Sequence, residues 1–155
     1  MKIPIIVSTP ATIFTKIYVD VMDMPESRHE HKYIVCARDN LSRACEARAL
    51  HHNDSKSLAK FFWEQIYCRY GAIAEVVTDN GPEMKAAFAE LLKRLSIPQA
   101  QISAYNKQAN GVVERGHFII REAILKSVGS KKDWPSKVQL AVFADCVTVT
   151  RSMGY

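Results

Sequence analysis

Apolar and polar positions fall into blocks of two different periods along this chain. In the first third, Thr12 to Met22, Lys32 to Ala37 and Ala44 to Leu50 are dense in β-branched, aromatic and other apolar residues and read as strands. Polar residues from Pro25 to His31 separate the first two, and Asp39-Asn-Leu-Ser42 separates the second pair, so short turns make an antiparallel meander. The period then changes. Leu58, Phe61, Phe62, Ile66 and Tyr70 recur at helical spacing, Asn53-Asp54-Ser55 offers N-caps, and Gly71 ends the run, which predicts an amphipathic helix. A short apolar run from Ile73 to Thr78 predicts a buried strand that delivers Asp79 to its carboxyl edge. Pro82 suits the first position of a second helix, marked by Phe88, Leu91, Leu92 and Leu95. A brief strand is expected from Ile97 to Ser103 and a polar loop from Ala104 to Gly111. A third helix begins near Gly111 and runs through Val113, His117, Ile120, Ile124 and Val128 to Gly129. The last starts around Asp133-Trp-Pro135 and carries Val138, Val142 and Cys146 on one face, with a β-branched end at Val147 to Thr150.

This order predicts an α/β fold flanked by helices, with a five-stranded mixed sheet of three antiparallel strands followed by two parallel ones. Sites in such sheets gather at the carboxyl ends of the parallel strands. With 155 residues, 48% of them hydrophobic, residues 1–155 fit one domain with a substantial core, and no repeat or linker divides them. Apolar runs fall far short of the roughly 18 residues of a membrane span, and Pro4 and Pro10 break the start of the chain, so a soluble intracellular protein without a membrane partner is expected. Cys36, Cys45, Cys68 and Cys146 form no Cys-x-x-Cys pair and are expected to be reduced core thiols, in neither a disulfide framework nor a zinc cluster. His29, His31, His51 and His52, in two loop pairs, read as solvated polar residues.

Charge narrows the function. The chain carries 21 Lys and Arg against 16 Asp and Glu, a net +5. Seven basic residues (Lys107, Arg115, Arg121, Lys126, Lys131, Lys132, Lys137) against three acidic ones lie between Tyr105 and Lys137. A basic segment beside an acidic site serves an enzyme that acts on a polyanion, although charge alone favours a solvated helix face. Three carboxylates stand out. Asp20, in Ile17-Tyr-Val-Asp-Val21, either faces water from an edge strand or needs a partner such as a cation. Asp79 sits at a strand end, where Asp-Asn-Gly is also ordinary turn chemistry. Glu114, one turn inside the third helix, shares a stripe with His117, Phe118 and Arg121, and a first-turn glutamate also complements the helix dipole. Jointly, three such acids can bind two Mg²⁺ or Mn²⁺ ions for in-line displacement at phosphorus, and the chain offers no Ser-His-Asp or Cys-His arrangement and no phosphate-cradling glycine loop.

The text around these acids resembles the catalytic core of retroviral-type integrases, closest to those of Gypsy-type LTR retrotransposons, over nearly the whole chain. The matching segments are Ile17-Tyr-Val-Asp20, Val76-Val-Thr-Asp-Asn-Gly-Pro-Glu83 and Ser103-Ala-Tyr-Asn-Lys-Gln-Ala-Asn-Gly-Val-Val-Glu-Arg115. The resemblance implies an RNase H-like fold, catalytic and metal-binding roles for Asp20, Asp79 and Glu114, Mg²⁺ or Mn²⁺ as cofactor, and cutting and joining of DNA ends in the nucleus. It implies DNA contacts by Asn80, by Tyr105, Asn106, Lys107, Gln108 and Asn110 in a flexible loop, and by Arg115, Arg121 and Lys126. It also implies a homodimer formed through the first and last long helices, for which Phe61-Phe-Trp63 offers surplus apolar area.

Departures from the pattern are local. Asp79 and Glu114 have 34 residues between them, one fewer than is usual, with the difference near Glu83 to Phe88. Met84 stands where an aromatic is common, and Asp23 adds an acid on the strand face opposite to Asp20. Asp39 matches a frequent family acid, but its turn context implies a structural role. The family's N-terminal zinc-binding and C-terminal DNA-binding domains are absent, so the chain is expected to be a fragment, an isolated core or the remnant of a decayed element. The leading expectation is a metal-dependent polynucleotidyl transferase core, weak in full integration alone. The alternative is a catalytically silent integrase-fold module that dimerises and binds nucleic acid or a protein partner. A ribonuclease of the same fold is a weaker third.

Overall fold

A computed structural model describes residues 15–79, 81–102 and 107–148, with backbone alone for 107–116. Strands β1 (Lys16–Asp23), β2 (Tyr33–Asp39), β3 (Cys45–Leu50), β4 (Glu75–Thr78) and β5 (Gln99–Gln101) form one sheet in the order β3-β2-β1-β4-β5. The β1–β2 and β2–β3 pairs are antiparallel and the β1–β4 and β4–β5 pairs parallel, as expected for a meander followed by helical crossovers.

Alternation along β2 supplies both faces. Val35 and Ala37 turn to one core with Ile17, Val19, Leu58, Phe61, Phe62, Phe88 and Leu92. Ile34 and Cys36 turn to the other, with Ile120, Ile124, Trp134, Val138 and Val142. The first core is covered by α1 (Ser55–Phe61), the π-helical turn Phe62–Tyr67, the short α2 (Cys68–Tyr70) and α3 (Ala86–Arg94). The second is covered by α4 (Lys107–Ser127) and α5 (Val138–Val147), joined by a 3₁₀ segment Lys131–Lys137. Each fully buried large side chain contributes roughly 1.5–3 kcal/mol relative to exposure. Trp134, 0% exposed, also donates its indole N–H to the Pro25 carbonyl at 2.5 Å, tying α5's approach to the loop after β1.

Four local expectations are corrected. Pro82 opens only a 3₁₀ turn, Pro82–Met84; Lys85 is extended and Ala86 has φ +48°, so α3 starts afresh at Ala86. The third helix begins at Lys107 rather than near Gly111, because Lys, Gln and Ala favour helix without needing an apolar stripe. Only Cys36 and Cys45 are core thiols; Cys68 and Cys146 are exposed, so Cys146 does not share the buried face of Val138 and Val142. Phe61 and Phe62 are both buried, which leaves Trp63, 44% exposed, as the surplus apolar side chain of that trio.

Candidate active site

Register brings the first two acids together. The parallel ladder aligns Ile17 with Val76 and Tyr18 with Val77. Two places further on, Asp20 lies level with Asp79, which directly follows β4. Both fall on the sheet face covered by α4, because Ile17, Val19 and Val76 point to the opposite core. Asp20 is not a sealed core acid: its side chain is 36% exposed, and Asp79 is exposed. The desolvation argument for Asp20 is therefore milder than the sequence implied.

Each carboxylate is oriented by a backbone donor. Asp20 Oδ1 accepts from the Val21 N–H at 2.9 Å, and Asp79 Oδ1 accepts from the Gly81 N–H at 2.9 Å. A β-carbon at Gly81 would meet the Glu83 carboxylate folded beneath it, and that side chain would have to move. A buried Thr78 accepts a hydrogen bond from Gln99 of β5 at 3.0 Å, and Gln99 also reaches the Met84 carbonyl, so the turn after β4 is held from its neighbour strand.

Glu114 lies within α4, two turns after its start rather than one, three positions before His117 on the same helical stripe. His117 is 1% exposed, and its Nδ1 is 3.6 Å from Asp20 Oδ2. That stripe therefore faces β1 beside Asp20. The side chains of Glu114, Lys107, Gln108, Asn110 and Arg115, and all of Asn80, Tyr105 and Asn106, lie outside the described residues. Lys107, Gln108 and Asn110 are nevertheless helical in backbone, not part of a loop. Arg121, one further turn along the stripe, donates from Nε to the Asp23 carbonyl at 3.2 Å and from Nη1 to Glu122 at 3.3 Å. Lys126 is exposed. Asp23, at the end of β1, is exposed, and Asp39 is 1% exposed, accepting from the Ser42 N–H and Oγ at 2.8 and 2.7 Å; it builds the β2–β3 turn.

The oxygen donors fit a hard divalent cation: two level carboxylates, solvent-accessible, each with one oxygen anchored to backbone and one remaining. Sequence reasoning missed a second cluster on the same face. Cys36, directly opposite Asp20 in the β1–β2 ladder, gathers with Cys45 and His117, their donor atoms within 4.8 Å of one another. A hydrogen bond with Cys45 and burial push the Cys36 thiol up from its ordinary range. Positions 36, 45 and 117 share no sequence spacing that could have announced this.

A sheet of this order, with one acid midway along its first strand and one just past its fourth, defines an RNase H-like α/β protein. The solved catalytic core domain of BIV integrase shares the fold, with a TM-score of 0.70, 23% identity, and coverage of 84% of this chain and 82% of that one. The integrase core domain family matches residues 14–107, and the chain belongs to that family. The match includes Asp20 and Asp79 and stops before Glu114. The retrovirus-related Pol polyprotein from transposon 412 of Drosophila melanogaster is 31% identical over 151 residues, 96% of this chain. The Pol polyprotein of radiation murine leukemia virus is 29% identical over 129 residues, 81% of it. The chain spans 12% and 22% of the lengths of these relatives.

Proposed function

We propose that the chain is a metal-dependent polynucleotidyl transferase core that cuts and joins DNA ends. The observation that carries this reading is the level placement of Asp20 and Asp79 on one face of the sheet, in a member of the integrase core family. Asp20, Asp79 and Glu114 would hold two ions. Bound there, Mg²⁺ or Mn²⁺ supplies activation of an attacking oxygen and stabilisation of the leaving oxygen at phosphorus. The chain's own part is to orient. The Val21 and Gly81 amides fix the rotation of the two aspartates, and α4 carries Glu114 on the stripe whose His117 packs beside Asp20. Arg121 and Lys126, further along α4, would draw the phosphate backbone toward the acids, with Arg115, Asn80 and residues 105–110 as further contacts.

The proposed partners are nuclear DNA and a second copy of the chain. Leu140, Phe143 and Val147 form an exposed apolar stripe on α5, and Trp63 stacks on Tyr67 in the π-helical turn after α1, ring centroids 5.4 Å apart. If the chemistry is lost, this apolar surface supports the reading of a silent dimerising module.

The test uses substrates that differ in who supplies positioning. A preassembled branched DNA holds its own ends in register, whereas joining a linear end to a target requires the protein to hold two DNAs. Residues 1–155 should resolve the branched DNA with Mn²⁺, lose that activity with Asp79→Asn, and join linear ends poorly. Inactivity on both substrates by a folded, metal-bound chain would overturn the enzymatic reading in favour of the silent module.

A further inference from the structure

The cluster of Cys36, Cys45 and His117 lies outside the carboxylate chemistry. Cys36 and Cys45 come from adjacent strands, and both point to the α4–α5 face; His117 drops onto them from α4. Their relative exposures are 0, 2 and 1%.

As a purely apolar contact this cluster is unsatisfactory. Both nitrogens of the His117 ring are buried and without a hydrogen-bond partner among the described residues. The 3.6 Å to Asp20 is too long for a hydrogen bond. Leaving such buried polar atoms unmet is destabilising, and a thiol is too weak a donor or acceptor to meet them. Arg38, directly opposite Cys45 in the β2–β3 ladder and 4% exposed, likewise has Nε and Nη2 unpartnered among the described residues. An unmet imidazole and a guanidinium partnered only through Nη1, by the Arg43 carbonyl and Asp145, thus border two thiols.

We infer that Cys36, Cys45 and His117 form a buried site for one thiophilic divalent cation of the zinc type, separate from the Asp20–Asp79–Glu114 site. Two sulfurs and one imidazole are the donor set such cations take, and one that Mg²⁺ and Mn²⁺ do not. A tetrahedral zinc holds its sulfur ligands about 3.8 Å apart. Donor atoms already within 4.8 Å need only side-chain adjustment to reach that separation. Binding breaks two S–H bonds, forms two metal–sulfur bonds and one metal–nitrogen bond, and releases two protons to solvent. The dithiolate cancels the cation's two charges, one water would complete the tetrahedron, and thiolates are acceptors for the Arg38 Nε and Nη2 groups. The consequence is mechanical: the metal ties α4 to β2 and β3 three residues from Glu114, positioning the third acid without touching DNA.

Cobalt(II) tests this by spectrum, independently of strand transfer. The chain is used in a Cys68→Ser/Cys146→Ser background, which removes the two exposed thiols. Cobalt should give thiolate charge-transfer absorption and strong tetrahedral bands at one ion per chain. Zn²⁺ should displace them, Asp79→Asn should leave them unchanged, and Cys36→Ala should abolish them. Only weak octahedral bands, or a thiolate spectrum that survives in a folded Cys36→Ala chain, would overturn the inference. A second readout requires no cluster variant: Zn²⁺ should raise the melting temperature of the same background and EDTA should reverse the rise, whereas an unchanged melting temperature at saturating Zn²⁺ contradicts the site.

Discussion

His117 and Asp20 face each other across the α4–β1 contact, Nδ1 to Oδ2 at 3.6 Å, with the imidazole sealed and the carboxylate open to solvent. This contact fixes which stripe of α4 lies against β1 beside the candidate site. Glu114 precedes His117 by three positions and belongs to that stripe, whereas Asp23 lies at the solvent-exposed end of β1. Glu114→Gln should therefore abolish metal-dependent cleavage and joining while circular dichroism stays unchanged, because the amide keeps the volume and loses the charge that holds an ion. Asp23→Asn should stay within about twofold of the parent, as expected of a surface change away from the site. If Asp23→Asn is inactive and Asp20→Asn is not, the first acid is misassigned.

Arg121 spends part of its hydrogen-bonding capacity on the Asp23 carbonyl and on Glu122, yet its side chain remains 31% exposed. A guanidinium has five N–H donors, so a phosphate can still be met. Duplex DNA binding should weaken steeply with salt, each neutralised phosphate adding roughly 0.9 to the slope of log K against log salt. Arg121→Ala should reduce that slope by about one. An unchanged slope would confine Arg121 to tying α4 to the end of β1.

What could be read from sequence follows how local each signal is. Asp79 was legible because an apolar run of strand length stops at it, and its pairing with Asp20 because a helical crossover returns β4 parallel beside β1. The start of α4 was not: Lys107-Gln-Ala-Asn110 lacks the apolar stripe by which a helix is recognised. Phe61 and Phe62 misled for another reason. Phe61 closes α1 and Phe62 opens the π-helical turn, and both rings are buried, so one apolar stripe here is wide enough to take two consecutive aromatics. The Cys36–Cys45–His117 cluster was illegible because only sheet register and helix docking assemble it.

Asp54 caps α1, its carboxylate accepting from the Ser57 N–H at 2.8 Å, and hydrogen bonds from Ser57 hold its pKa below the usual 3.8. Asp54→Ala should cost about 1 kcal/mol in denaturant unfolding at neutral pH. Because the folded-state pKa is the lower one, the cap's pH-linked contribution is present above about pH 4 and fades as pH falls through the folded-state value. The parent and Asp54→Ala should thus converge in stability under strong acid. A gap that stays constant down to full protonation would show that the cap acts without its charge.

The apolar stripe on α5 can be separated from the chemistry. Leu140, Phe143 and Val147 are 57, 64 and 63% exposed and lie at positions i, i+3 and i+7 of one helix, while Val138, Ala141 and Val142 hold the opposite face to the core. A charge at the centre of the stripe should cost the monomer little, since exposed substitutions usually change stability by no more than about 0.5 kcal/mol. In a dimer the same lysine would be buried against an apolar partner without a counter-charge, at a cost of several kcal/mol. Phe143→Lys should therefore shift sedimentation velocity profiles from dimer to monomer while leaving the melting temperature of dilute, monomeric protein unchanged, and Trp63→Lys should act in the same direction from the π-helical turn after α1. A dimer fraction unaffected by Phe143→Lys at equal concentration would remove α5 from the interface and leave the stripe available to a different protein partner.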